Sequence, residues 1–157
     1  MAAIDSRVDI GHVHLKVADL ERALGFWHGV LGFEITQRMG STAAFLSAGG
    51  YHHHIGLNTW ESRGGSPPPR ESTGLYHAAI RYPDRAALAV ALRRVLDAGL
   101  TLDGASDHGV SEALYLRDPD GNGVLRIPHD SRMRLPSRIL RGLRDDLPDQ
   151  GRSAAEI

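Results

Sequence analysis

The 157-residue sequence contains no cysteine and no long run of apolar residues. The absence of cysteine excludes disulfide bonds, thiolate-bound zinc and iron–sulfur clusters. No segment approaches the roughly 18 consecutive apolar residues of a membrane-spanning helix, and the first residues lack the apolar core of a signal peptide. We therefore expect a cytoplasmic protein that makes no membrane contact.

A surplus of charge of one sign is also missing. The chain has 18 Lys and Arg against 19 Asp and Glu, which gives a formal net charge of -1. Without a basic surplus, neither nucleic acid nor an anionic membrane is favoured as a partner. The 41% hydrophobic and 24% charged residues are typical of a soluble globular domain.

Histidine, by contrast, is abundant. The nine histidines are dispersed through patterned segments, and three of them are consecutive in the apolar run 51–57. Alternation along a strand would place His53 on one face and both His52 and His54 on the other. An imidazole in a pocket serves as a proton donor, a metal ligand or a hydrogen-bonded core residue.

The hydrophobic periodicity predicts the element order β-α-β-β-β twice. In each half a helix follows the first strand, with an aspartate at its start and a glycine at its end. The first half comprises strand 10–17, helix 19–32 and strands 33–39, 43–47 and 51–58. The second comprises strand 75–82, helix 84–99 and strands 100–103, 113–117 and 123–128.

The two halves form an internal repeat. His12 precedes Asp19 by seven residues and His77 precedes Asp84 by seven, an offset of 65 (77 minus 12). We predict a first module at 8–60, a linker loop at 61–74 that contains three consecutive prolines, and a second module at 75–130. Residues 131–157 are predicted to form an amphipathic helix and a tail.

Several motifs resemble those of the vicinal oxygen chelate superfamily. That superfamily includes glyoxalase I, bleomycin- and fosfomycin-resistance proteins, and extradiol dioxygenases. Residues 11–23 and 26–33 resemble its opening strand and helix, and Asp118-Pro119-Asp120-Gly121-Asn122-Gly123 resembles its last hairpin turn. Residues 51–55 resemble the catechol 2,3-dioxygenase branch. The resemblance implies an α+β fold in which paired βαβββ modules form a curved open barrel.

The resemblance also implies a set of functional residues. His12 and His77 match two iron-binding histidines, and His53 matches an acid/base histidine. His108 and Tyr115 match groups that form hydrogen bonds to substrate or to the ligands.

One residue departs from the family pattern. The third iron ligand is expected to be a glutamate four residues after Gly121, where this chain has Leu125. Leucine has no ligand atom. The cofactor implied is Fe(II), or Mn(II) or another divalent metal, or none because of this leucine.

The activity implied by the resemblance is extradiol ring cleavage of a catechol-like substrate, as in aromatic compound catabolism. One alternative is a metal-free protein on the same fold that binds a small aromatic ligand or drug. Another is a different metal-dependent enzyme, such as a thiol transferase or an epimerase. We expect a homodimer in each case.

Overall fold

The computed structural model describes residues 3–107 and 112–128. Two predictions, the role of His108 and the helix and tail of segment 131–157, lie outside the described residues.

Eight strands and three helical segments make up the described chain, and their order repeats that predicted from the sequence. The first half contains β1 (Val13–Lys16), α1 (Leu20–Leu24) continued by a π-helix (Gly25–Val30), β2 (Glu34–Met39), β3 (Ala43–Ser47) and β4 (Ile55–Asn58). The second contains β5 (His77–Tyr82), α2 (Arg85–Asp97), β6 (Gly104–Asp107), β7 (Glu112–Arg117) and β8 (Gly123–Pro128).

The strands form two four-stranded sheets with the same topology. The orders are β1-β4-β3-β2 and β5-β8-β7-β6, so each sheet is built from one β-α-β-β-β unit. In each sheet the first strand of the unit pairs in parallel with the last, which places Val13 opposite Ile55 and His77 opposite Gly123. The predicted α+β fold is confirmed, with two open sheets and no closed barrel among the described strands. The module boundaries at 8–60 and 75–130 stay predictions.

Both main helices begin where the sequence predicts. The side chain of Asp19 accepts a hydrogen bond from the Arg22 backbone N–H at 2.8 Å, and that of Asp84 accepts one from Ala87 at 2.8 Å. Each bond satisfies a backbone donor at a helix start that has no partner within the helix. The first helix differs from the prediction in its second half, where it widens into the π-helix.

The strand predicted over 51–58 begins only at Ile55. The β3–β4 ladder ends at the pair Leu46 and Ile55, and beyond it the Nδ1 atom of His54 lies 3.3 Å from the Ala48 backbone nitrogen. The histidine side chain thus takes the place of a ladder partner. His52 and His53 lie outside the strand as well, so the predicted alternation of histidines between two faces is wrong.

Two other strands also differ in position. β1 begins at Val13 rather than at residue 10, and β6 covers Gly104–Asp107 instead of 100–103. Ahead of β6, the Leu100 N–H bonds back to the Val95 carbonyl of α2 at 3.1 Å. Residue 100, where the strand was expected to begin, is therefore hydrogen-bonded to the end of the helix, and the strand begins later.

A single hydrophobic core joins the two units. Trp27 and Leu57 of the first unit and Leu88 and Leu116 of the second are almost completely buried in one cluster. Burial of such large apolar side chains is the main stabilising contribution to the fold. None of the helices in the described part of the chain is long and apolar enough to cross a membrane.

A buried turn connects the second unit to the first. The turn predicted at 118–123 is present, and Asp118 accepts hydrogen bonds from the backbone nitrogens of Asp120 and Asn122 at 3.0 and 2.8 Å. Asp120 in turn accepts from the Ala18 N–H at 3.0 Å and from Arg22 at 2.6 Å. The turn is thereby fixed against the start of α1.

Candidate functional site

Three histidines of the first unit lie in contact with one another. The ring centroid of His12 lies 4.4 Å from that of His53 and 6.3 Å from that of His52. The Nδ1 atoms of His52 and His53 are 2.6 Å apart, which is hydrogen-bond distance, so one of them carries a proton and the other accepts it. We call His12, His52 and His53 the histidine cluster.

The half-buried His53 favours its neutral form. Burial lowers the pKa of its imidazole below the ordinary value, and the neighbouring histidines, His12 foremost, lower it further. The ring also contacts Phe45 at a centroid distance of 5.0 Å. A neutral imidazole can accept a proton, as the predicted acid/base role requires, but that role stays a prediction.

The other two histidines near this sheet support its structure. His54 is half-buried, and its Nδ1 lies 3.1 Å from the Ser47 hydroxyl oxygen. The ring of His14 contacts those of Phe45 and Trp60, at centroid distances of 5.9 and 5.6 Å. Burial lowers the pKa of His14 as well, with a smaller effect from His12.

His77 occupies a different setting, at the start of β5 in the second sheet. It is half-buried, and its Nδ1 is buried without a hydrogen-bond partner among the described residues. Leaving a buried polar atom without a partner costs about 1–3 kcal/mol. The described residues therefore leave the hydrogen-bonding capacity of the His77 imidazole incompletely used.

A cavity of about 370 Å³ opens beside His77. Tyr115 of β7 lines it together with His77, so the structure brings these two predicted site residues together. The lining also includes Arg117 and Asp103, whose Nε and Oδ2 atoms are 2.9 Å apart. Both side chains are about half exposed, and we call this part of the lining the mouth of the cavity. The sequence analysis did not identify either charged residue, because their pairing depends on the register of β6 against β7.

The two predicted metal-binding histidines have different recorded contacts. The ring contacts of His12 are with the histidine cluster, whereas His77 lies in the cavity of the second unit. Within 3–107 and 112–128, no three His, Cys, Asp or Glu residues are grouped so that they could hold a metal ion. Leu125 stands opposite Ala79 and Tyr115 in the second sheet. The described residues therefore do not fit a three-ligand Fe(II) site, and the assignment of His12 and His77 as ligands stays a prediction.

The chain is similar to known proteins over most of its described length. A family model described as the Glyoxalase/Bleomycin resistance protein/Dioxygenase superfamily matches residues 9–125. A catechol-2,3-dioxygenase from Bacillus subtilis (strain 168) is 44% identical over 95 residues, which cover 60% of this chain and 33% of that protein. Biphenyl-2,3-diol 1,2-dioxygenase 3 from Rhodococcus globerulus is 30% identical over 117 residues, which cover 73% of this chain and 60% of that protein. This chain thus spans between one third and three fifths of the length of these two relatives.

Solved structures show the same fold. A glyoxalase/dioxygenase from Nostoc punctiforme superposes with a TM-score of 0.66 at 17% sequence identity, covering 82% of this chain and 95% of that one. At this identity the similarity concerns the fold alone.

Proposed function

The chain belongs to the Glyoxalase/Bleomycin resistance protein/Dioxygenase superfamily, and we propose that it binds a small catechol-like aromatic compound in the cavity beside His77. The two relatives named after aromatic diols and dioxygenase activity support this class of ligand. Because this chain spans only part of their length, their activity is not carried over with the similarity.

The observation that carries the proposal is that His77, whose Nδ1 has no hydrogen-bond partner among the described residues, lines the cavity. A hydroxyl group of a bound aromatic diol would form a hydrogen bond with the His77 imidazole inside the cavity. The cavity volume of about 370 Å³ lies within the range of about 300–1,000 Å³ typical of small-molecule sites. Tyr115 lines the same wall and adds an aromatic surface for the ring of the ligand.

We propose that the aromatic compound binds without a metal ion. The expected carboxylate position is leucine, and no three-donor group is present in the described ranges. We therefore derive no ring-cleavage step from this chain.

The experiment is a calorimetric titration of catechol into protein stripped of metal with a chelator. We expect saturable binding by the wild type and at least a roughly tenfold loss of affinity in His77→Ala, the size of a lost hydrogen bond to a buried group. His52→Ala is the matched control, since it removes an exposed imidazole outside the cavity. Equal affinity in both variants would exclude His77 from the site.

A second candidate function is extradiol ring cleavage, favoured by the 44% identity to a catechol-2,3-dioxygenase. It requires a divalent metal, for which the resemblance names His12 and His77. Elemental analysis of protein purified anaerobically and supplied with Fe(II) would give about one iron per chain, and catechol would yield a yellow ring-cleavage product. If the protein binds no iron after this treatment, the ring-cleavage function is excluded and only the ligand-binding function remains.

A further inference from the structure

The mouth of the cavity carries one ion pair. Arg117 follows Tyr115 by two residues on β7, so both side chains leave the strand on the same side. Asp103 immediately precedes β6, whose first residue, Gly104, pairs with Tyr115. The register of the two strands thus brings Arg117 Nε to 2.9 Å from Asp103 Oδ2.

Arg117 is held in place from a second side. Its Nη1 donates a hydrogen bond to the Gly121 carbonyl at 2.9 Å. The guanidinium is therefore fixed at the mouth by the carboxylate of Asp103 and by a backbone oxygen of the turn before β8. A fixed guanidinium is the side chain best suited to bind a carboxylate, because its donors form a planar fork.

The two charges cancel. Among the described residues that line the cavity, Asp103 and Arg117 are the only aspartate, glutamate, lysine or arginine side chains, so these charges sum to zero. A ligand that brought its own carboxylate to this mouth would lose hydration and find the guanidinium already paired. An uncharged ligand of the same shape pays no such cost.

We propose that Asp103 is a specificity-determining residue: by pairing with Arg117 it makes the cavity select uncharged aromatic ligands over aromatic carboxylates. This inference rests on the proposed function, since it presumes that the cavity binds an aromatic ligand. About half of each side chain is exposed, 52% for Arg117 and 48% for Asp103, so solvent screens the pair. The selectivity it produces is accordingly several-fold, not many orders of magnitude.

The experiment compares two probes that differ in charge but hardly in shape, 3,4-dihydroxybenzamide and 3,4-dihydroxybenzoate. Wild-type protein is expected to bind the amide more tightly. Asp103→Asn leaves Arg117 unpaired and should shift the affinity ratio toward the acid by roughly 3- to 10-fold, with a shift that shrinks as salt is added. Arg117→Gln leaves the aspartate alone at the mouth and should shift the ratio in the opposite direction.

The matched control is Asp97→Asn. It breaks an exposed ion pair with Arg93, also 2.9 Å long, on helix α2 away from the cavity lining, and it changes the net charge equally. A ratio that shifts in Asp103→Asn alone, with the opposite shift in Arg117→Gln, supports the assignment.

Two outcomes would overturn it. If both probes bind but their ratio is unchanged in Asp103→Asn, or shifts as much in Asp97→Asn, the role of Asp103 is wrong while the proposed function stands. If neither probe nor catechol binds the wild type, the proposed function fails and this inference fails with it.

Discussion

Gly56 shows how one missing side chain shapes the first sheet. It pairs with His14 on β1 and with Phe45 on β3, and a Cβ built on it would lie 2.8 Å from the His14 ring. Real Cβ atoms do not approach that closely, so the glycine makes room for the imidazole. The sequence places Gly56 two residues after the three histidines but does not show that its neighbour in space is a fourth, His14.

Gly56→Ala should therefore destabilise the fold. We expect a loss of about 1–2 kcal/mol in the free energy of unfolding, the usual cost of overpacking, because the His14 ring must move. Urea denaturation measures it. The double variant Gly56→Ala/His14→Ala should recover most of the loss. Gly29→Ala, where an added Cβ meets nothing within 4 Å, is the control and should lose none. A loss that persists in the double variant would contradict the steric explanation.

Leu125 tests whether a metal site can be restored. If residue 125 lies at the third ligand position, Leu125→Glu supplies the carboxylate that an Fe(II) site needs, and the affinity for a divalent metal should rise by roughly tenfold or more. Titration calorimetry with Mn(II) measures it. Leu125→Gln, similar in shape but uncharged, is the control. Unchanged affinity in Leu125→Glu would show that residue 125 is not at the ligand position.

At the scale of elements, the sequence predicted what depends on local contacts. The aspartate caps at 19 and 84 and the turn at 118–123 are confirmed, because each is formed by hydrogen bonds within four residues. Strand starts were predicted less well. β4 begins late because the His54 side chain takes the place of a ladder partner for the Ala48 backbone nitrogen. The hydrophobic periodicity of the sequence does not indicate this side-chain contact.

The buried turn should make stability depend on pH. Burial raises the pKa of Asp118 above its ordinary 3.8, although hydrogen bonds from Asn122 and Asp120 oppose the rise. The folded state therefore holds this proton more tightly than the unfolded state. As pH rises through the unfolded pKa toward the folded one, the unfolded chain loses its proton first and stability falls.

The corresponding measurement is urea denaturation of wild type and Asp118→Asn from pH 4 to pH 7. The wild type should lose stability relative to the variant as pH rises, since only the wild type must ionise the buried Asp118 carboxyl, whose pKa is raised in the folded state. Other acidic groups are common to both proteins and cancel in the difference. If the free energy of unfolding of the wild type instead rises relative to that of Asp118→Asn as pH rises, the prediction is contradicted.

At the scale of the whole molecule, Asp120 joins the two units. Its side chain is 8% exposed and accepts two hydrogen bonds from the first unit, one from the Ala18 N–H and one from the guanidinium of Arg22. Its other oxygen is buried without a partner among the described residues. The contact spans 102 residues from Ala18 along the chain, which is why the sequence did not indicate it.

Asp120→Asn should consequently lower the free energy of unfolding by about 2 kcal/mol, within the range for hydrogen bonds to charged groups. Chemical denaturation measures this. Asp97→Asn, which breaks an exposed i,i+4 pair, should cost less than about 0.5 kcal/mol. Equal losses in the two variants would show that Asp120 does not couple the units.

The fold was predictable from the repeat, whereas the contacts of the predicted site residues were not. The resemblance assigned His12, His53, His77 and Tyr115 to one centre; His12 contacts His53, and His77 and Tyr115 line the same cavity, while their union in one centre stays a prediction. The pairing of Asp103 with Arg117 follows from strand register, which one sequence does not specify. The predicted homodimer stays a prediction, which light scattering would test.

The central claim is that an aromatic diol binds at His77 and not at the histidine cluster. The most direct measurement is a two-dimensional ¹H–¹⁵N spectrum of the imidazole rings in metal-free protein, assigned with single-histidine variants and recorded during a catechol titration. The account predicts that the ring resonances of His77 shift saturably while those of His12 and His53 do not. Shifts confined to His12 and His53, with His77 unchanged, would contradict it.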